Sequence, residues 1–162
     1  MTKEYSWRTG RSCVYKNIVH LVFVTKYRRK VFSKLMLSSL KNIFKETCQQ
    51  MDCELLEFNG EDNHVHLLVQ AHPKLAISNL VSKLKGKSSY ILRKNFWEQI
   101  KDKLWGKRFW SPSYCVVSCG GAPLEVVKKY IENQNTPSSL KHIEQSKRFK
   151  GRKRDSEKKW LA

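Results

Sequence analysis

The order of periodic segments in this 162-residue chain predicts an α+β fold. The expected architecture is a ferredoxin-like βαββαβ antiparallel sheet with helices on one face, plus a C-terminal helix. Three observations predict it. Four short runs rich in β-branched and aromatic residues alternate with two longer runs of helical period, in β-α-β-β-α-β order. An Asn-Gly pair separates the middle two strands, as in a hairpin. A Gly-Gly-Ala-Pro stretch then separates the last strand from a third helical run.

Residues 1–13 are polar and basic and read as a flexible arm. Residues 17–25 (Asn-Ile-Val-His-Leu-Val-Phe-Val-Thr) read as a buried strand. Lys26–Lys30 is a basic connection. Over 34–50, Leu37, Leu40, Ile43, Phe44 and Thr47/Cys48 recur with the period of an amphipathic helix, and Ser33 is placed to cap it. A second strand spans about 53–59. Asn59-Gly60 with Glu61-Asp62 marks a turn, 63–70 is the third strand, and Pro73 closes it. Ile77, Leu80, Val81, Leu84, Ser88, Ile91 and Leu92 form the apolar face of a long helix over 76–97. Residues 98–113 read as a polar, Trp-rich connection ending at Pro112, and 114–119 as the fourth strand. Gly120-Gly121 breaks that strand, Pro123 opens a third helix over about 123–135, and Asn135 and Pro137 stop it. Residues 138–162 carry nine Lys and Arg against three acidic residues and read as a solvated basic tail. In this topology the first and third strands lie side by side at the centre of the sheet.

Composition narrows the function. Apolar residues make up 40% of the chain, enough for one folded domain. The 32 Lys and Arg against 14 Asp and Glu give a net charge of +18, which points to a polyanionic partner, foremost a nucleic acid. No run reaches the roughly 18–20 apolar residues of a membrane span, and no signal-peptide core opens the chain. A cytoplasmic location is the default expectation. The five cysteines include no Cys-x-x-Cys pair, so a zinc ribbon or redox dithiol is excluded, and they read as buried or partly buried thiols.

The stretch His64-Val65-His66 carries the most chemistry. In a strand, side chains alternate, so both imidazoles project to one face while Val65, Leu67 and Val69 fill the core from the other. Two imidazoles alone leave a divalent ion under-ligated. The third helix offers more, because Tyr130 and Gln134 stand at i and i+4 on one face. The Gln134 carbonyl oxygen suits a hard ion such as Mg²⁺ or Mn²⁺, and Tyr130 would stand beside it. His20, on the neighbouring strand, reads as a hydrogen-bonded core histidine. Glu61 and Asp62 are further candidates for a ligand or a water-holding role.

These residues together resemble the HUH single-strand nucleases, and more narrowly the single-tyrosine TnpA transposases of small insertion sequences that move as single-stranded DNA. Three further segments carry the resemblance: Val22-Phe23-Val24-Thr25-Lys26-Tyr27-Arg28-Arg29, then Trp110-Ser111-Pro112-Ser113-Tyr114 with Gly120-Gly121, then Val127-Lys128-Lys129-Tyr130-Ile131-Glu132-Asn133-Gln134. The likeness covers residues 14–137, which would be the catalytic domain. It implies that Tyr130 attacks a phosphodiester to leave a 5′-phosphotyrosine, with an ion held by His64, His66 and Gln134. It also implies a homodimer whose tyrosine helix completes the partner's histidine pair, with Gly120-Gly121 as the joint. The residues by themselves allow a cis arrangement equally.

For DNA, Lys26, Arg28, Arg29 and Lys30 form one basic cluster, and Lys83, Lys85 and Lys87, with Arg93 and Lys94, a second. Both are expected to hold phosphates, and Tyr27 or Trp105 to stack on unpaired bases. The family's partner is single-stranded DNA bearing subterminal hairpins. Two alternatives stay open: a domesticated relative processing repeated DNA hairpins, and a catalytically silent hairpin-binding protein.

Overall fold

The computed structural model describes residues 5–104 and 108–119. The chain divides into two compact units, Met1–Leu124 and Glu125–Ala162. The expected third helix with Tyr130 and Gln134, the expected joint at Gly120-Gly121, Trp105 and the basic tail lie outside the described residues.

Two short strands, β1 (Arg8–Thr9) and β2 (Val14–Tyr15), pair with each other. The main sheet comprises β3 (Ile18–Thr25), β4 (Glu54–Gly60), β5 (His64–Gln70) and β6 (Trp110–Ser118), in the spatial order β4-β5-β3-β6. Every pairing is antiparallel. The predicted first and third strands, β3 and β5, are the central pair. Helices α1 (Lys34–Gln50) and α2 (Ile77–Ile100) cover one face.

Alternation along the strands decides what each face holds. Val19, Leu21 and Phe23 of β3 and Val65, Leu67 and Val69 of β5 pack with Leu40, Phe44, Leu80, Leu84 and Leu92 of the helices. Burying each such side chain contributes about 1.5–3 kcal/mol, so this layer dominates the stability. The Ser33 hydroxyl accepts from the Met36 amide at 3.3 Å and opens α1 as expected, a cap of about 1 kcal/mol. The other face carries Ile18, His20, Val22, His64, His66 and Leu68.

Four local expectations change. Within the stretch read as a flexible arm, two residues are tied to β4 although Ser6–Thr9 are exposed: Tyr5 is buried and donates to Glu57, and Arg8 pairs with Glu54 at 3.0 Å. Both acids lie on the face of β4 away from the helices, which gives the basic arm a place to bind. The turn after β4 falls at 61–63, since Gly60 still pairs with Val65. A Cβ at Gly60 would stand 2.6 Å from Leu37 Cδ2, so glycine serves the close approach of α1. Strand β6 begins at Trp110, four residues earlier than read, because a bulge opposite Phe23–Thr25 absorbs Ser111–Ser113. Pro112 is tolerated there because β6 is an edge strand. For the same reason Cys115 is exposed rather than buried, while Cys48 and Cys53 are buried.

Candidate functional site

β3 and β5 bring three histidines onto the sheet face opposite the helices. His64 pairs with Val24 and His66 with Val22 across the ladder. Both imidazoles project to one side, as period 2 requires, with ring centroids 5.0 Å apart. His20 pairs with Leu68, one step along the same face, and so meets His66 on the diagonal. Its Nε2 lies 3.0 Å from His66 Nδ1, with the rings stacked at 5.2 Å. His20 is fully buried and His66 is 4% exposed, while His64 is half-buried. His20 is thus the hydrogen-bonded core histidine the sequence led one to expect.

His64 Nδ1 lies 2.7 Å from Asn63 Oδ1. An amide oxygen only accepts, so Nδ1 carries the proton and the lone pair sits on Nε2. Sequence reasoning missed Asn63; the signal was a short amide immediately before a strand histidine. Glu61 is exposed, and Asp62 lies 3.6 Å from Lys30 Nζ. Among the described residues, no group of three or more His, Cys, Asp and Glu could hold a metal ion. The histidine pair therefore remains a half-site that a further donor must complete.

The basic turn adjoins this site. Val24 faces His64, and the Thr25 amide donates to the Asn63 carbonyl at 3.0 Å, so Lys26–Lys30 leaves the sheet at the histidine end. A single 3₁₀ turn over Lys26–Arg28 holds Tyr27 and Arg28 in the left-handed region, φ 58° and 52°. Neither residue favours that conformation. The Thr25 hydroxyl ties the turn down through the Arg29 carbonyl at 2.7 Å. Tyr27, Arg28, Arg29 and Lys30 are exposed there, and Lys26 Nζ lies over the Tyr27 ring.

The second basic cluster divides. Lys83 is exposed, and Lys87 donates to Gln50 Oε1 at 3.1 Å. Lys85, the third lysine expected to hold phosphate, is engaged within the protein. Its ammonium donates to the Ser111 and Ser113 carbonyls at 2.8 and 2.7 Å and lies over the rings of Phe23 and Tyr114. Neither serine has a register partner on β3 at the bulge, and Lys85 gives both carbonyls a donor. Burial lowers its pKa to about 8.

No helix among the described residues is long and apolar enough to cross a membrane. A family model described as "Transposase IS200 like" matches residues 13–134. The ISDra2 transposase TnpA of Deinococcus radiodurans is 36% identical over 130 residues, 79% of this chain and 91% of that protein. The transposase for insertion sequence element IS200 of Salmonella typhimurium is 31% identical over 126 residues, 78% of this chain and 79% of that protein. A crystal structure of a proposed transposase from Deinococcus radiodurans is similar at a TM-score of 0.65 and 34% identity, covering 78% of this chain and 97% of the other. A REP-associated tyrosine transposase bound to a REP hairpin is similar at a TM-score of 0.51 over 76% and 67% of the two chains. At 10% identity that likeness bears on the fold alone.

Proposed function

The chain belongs to the IS200-like transposases, and from that membership we propose that it cleaves and rejoins single-stranded DNA at insertion-sequence ends through a covalent bond to Tyr130. The observation that carries this reading is the pair of imidazoles on the central strand β5, beside a basic turn and with both Nδ1 atoms hydrogen-bonded.

The residues fit a divalent ion such as Mg²⁺ or Mn²⁺. A ligating histidine ordinarily engages its second ring nitrogen in a hydrogen bond that fixes the tautomer, and both His64 and His66 do so. His64 and His66 would hold the ion through Nε2, and Gln134 would add its carbonyl oxygen. When bound, the ion supplies Lewis-acid stabilisation of charge on the scissile phosphate.

The Tyr130 phenol oxygen attacks the phosphorus in line, its proton passing to solvent. A P–O bond forms to the tyrosine, and the bond to the 3′ oxygen breaks, leaving a 5′-phosphotyrosine and a 3′-hydroxyl. A phenol has a pKa of about 10 and is mostly protonated near neutrality, so attack depends on charge stabilisation at the phosphate. The phosphotyrosine keeps the ester, so a second 3′-hydroxyl can attack it and rejoin strands without a nucleotide cofactor. Lys26, Arg28 and Arg29 stand at the histidine end of the sheet, where they would neutralise phosphates flanking the cut. Lys83 and Lys87 would hold DNA on the helical side, where the family's subterminal hairpins are the expected ligand. The functional unit is a homodimer with the active site shared between subunits.

The test is incubation with labelled single-stranded DNA carrying a candidate end hairpin and Mn²⁺, followed by a denaturing gel. The expected result is a covalent protein–DNA band that Tyr130→Phe abolishes and His64→Ala strongly reduces. A band that persists in Tyr130→Phe overturns the assignment of the nucleophile.

A further inference from the structure

We propose that His20 is a positioning residue of the ion centre: it accepts a hydrogen bond from His66 Nδ1 and thereby presents Nε2 of His66 as a ligand. The inference rests on the metal reading above and deepens it. A neutral imidazole carries one proton on one of its two nitrogens. His66 can ligate through Nε2 only when that proton sits on Nδ1, and a buried Nδ1–H needs an acceptor. His20 Nε2 lies 3.0 Å away as such an acceptor, with both rings withdrawn from water. The reverse polarity, with His20 as donor, would place the His66 proton on Nε2 and block the ligand position. Asn63 already imposes the ligand-ready form on His64 through an oxygen that can only accept. His20 does the same for the second histidine, and it does so from the adjacent strand.

The diagonal placement explains why a histidine fits at position 20. Val22 is directly opposite His66, so a side chain there would point past the ring rather than at Nδ1. His20, one pleat further along, reaches Nδ1 with its distal nitrogen. Glutamine can place an acceptor oxygen at nearly the same distance from the backbone, whereas leucine fills similar space without one.

The experiment measures Mn²⁺ affinity by calorimetry on the full-length protein without DNA. It compares wild type with His20→Leu, His20→Gln and His64→Ala, and circular dichroism follows folding in each. His20→Leu is expected to weaken Mn²⁺ binding roughly 10- to 100-fold, and His20→Gln to restore most of it. Long-range ¹H–¹⁵N correlation on the metal-free wild type is expected to show His66 protonated on Nδ1, with the tautomers mixed in His20→Leu. A wild-type His66 protonated on Nε2, or Mn²⁺ affinity unchanged in a folded His20→Leu, overturns the positioning role alone. Mn²⁺ binding that His64→Ala does not affect overturns the metal reading itself, and the positioning role with it.

Discussion

Lys85 sits half-buried over Phe23 and Tyr114 with its ammonium on two carbonyls of the bulged strand, and its pKa falls to about 8. The ordinary value of 10.5 applies to the unfolded chain, so between about pH 8 and 10.5 the unfolded state binds the extra proton. Stability should therefore rise with pH across that window in the wild type, and this rise should be smaller in Lys85→Met. Urea midpoints on either side of the window check it. The same contacts predict that Lys85→Met leaves the salt dependence of DNA binding unchanged, whereas Lys83→Ala lowers the slope of log K against log salt by about 1. The residue-level site was partly readable beforehand. Period-2 alternation alone places His64 and His66 on one face. The His20–His66 contact needed the strand order and register, because it is diagonal. Lys85 was readable in principle: it lies four residues after Val81 and three before Ser88, both buried, and so flanks the apolar face.

At the scale of elements, α1 was legible to the residue, because a capping serine and a regular apolar stripe agree. The β4–β5 hairpin was legible in kind but misplaced in its turn. Asn-Gly is a strong turn signal, yet Gly60 continues the ladder because α1 passes too close for a side chain. Gly60→Ala should cost about 1 kcal/mol, near the low end for overpacking, since half-buried Leu37 can turn aside. Leu37→Ala in the same chain should recover part of the loss. Thermal unfolding of both variants decides whether close approach is the reason for the glycine. The early start of β6 could not be read locally. Ser111-Pro112-Ser113 looks like loop sequence, and it joins a strand at a bulge where Lys85 of α2 donates to both serine carbonyls.

Over the whole molecule, the net charge of +18 and the two-faced sheet divide the labour. One face is a core layer under two helices; the other carries His20, His64 and His66, with a basic turn at its edge. The proposed homodimer with a shared site makes a sharp prediction. Mixing His64→Ala, strongly impaired alone, with Tyr130→Phe, inactive alone, should raise adduct formation well above either variant, because one subunit supplies the histidines and the other the tyrosine. A cis site would leave the mixture no more active than His64→Ala alone, and the same gel assay decides between them. The histidines' place on β3 and β5 has a consequence in hydrogen exchange. Central strands paired on both sides open only when the whole domain does. The amides of His20 and His66 should therefore exchange at the rate set by global unfolding, among the slowest in the domain. A half-site so built has no private breathing motion, so any opening that admits DNA has to come from parts outside the sheet.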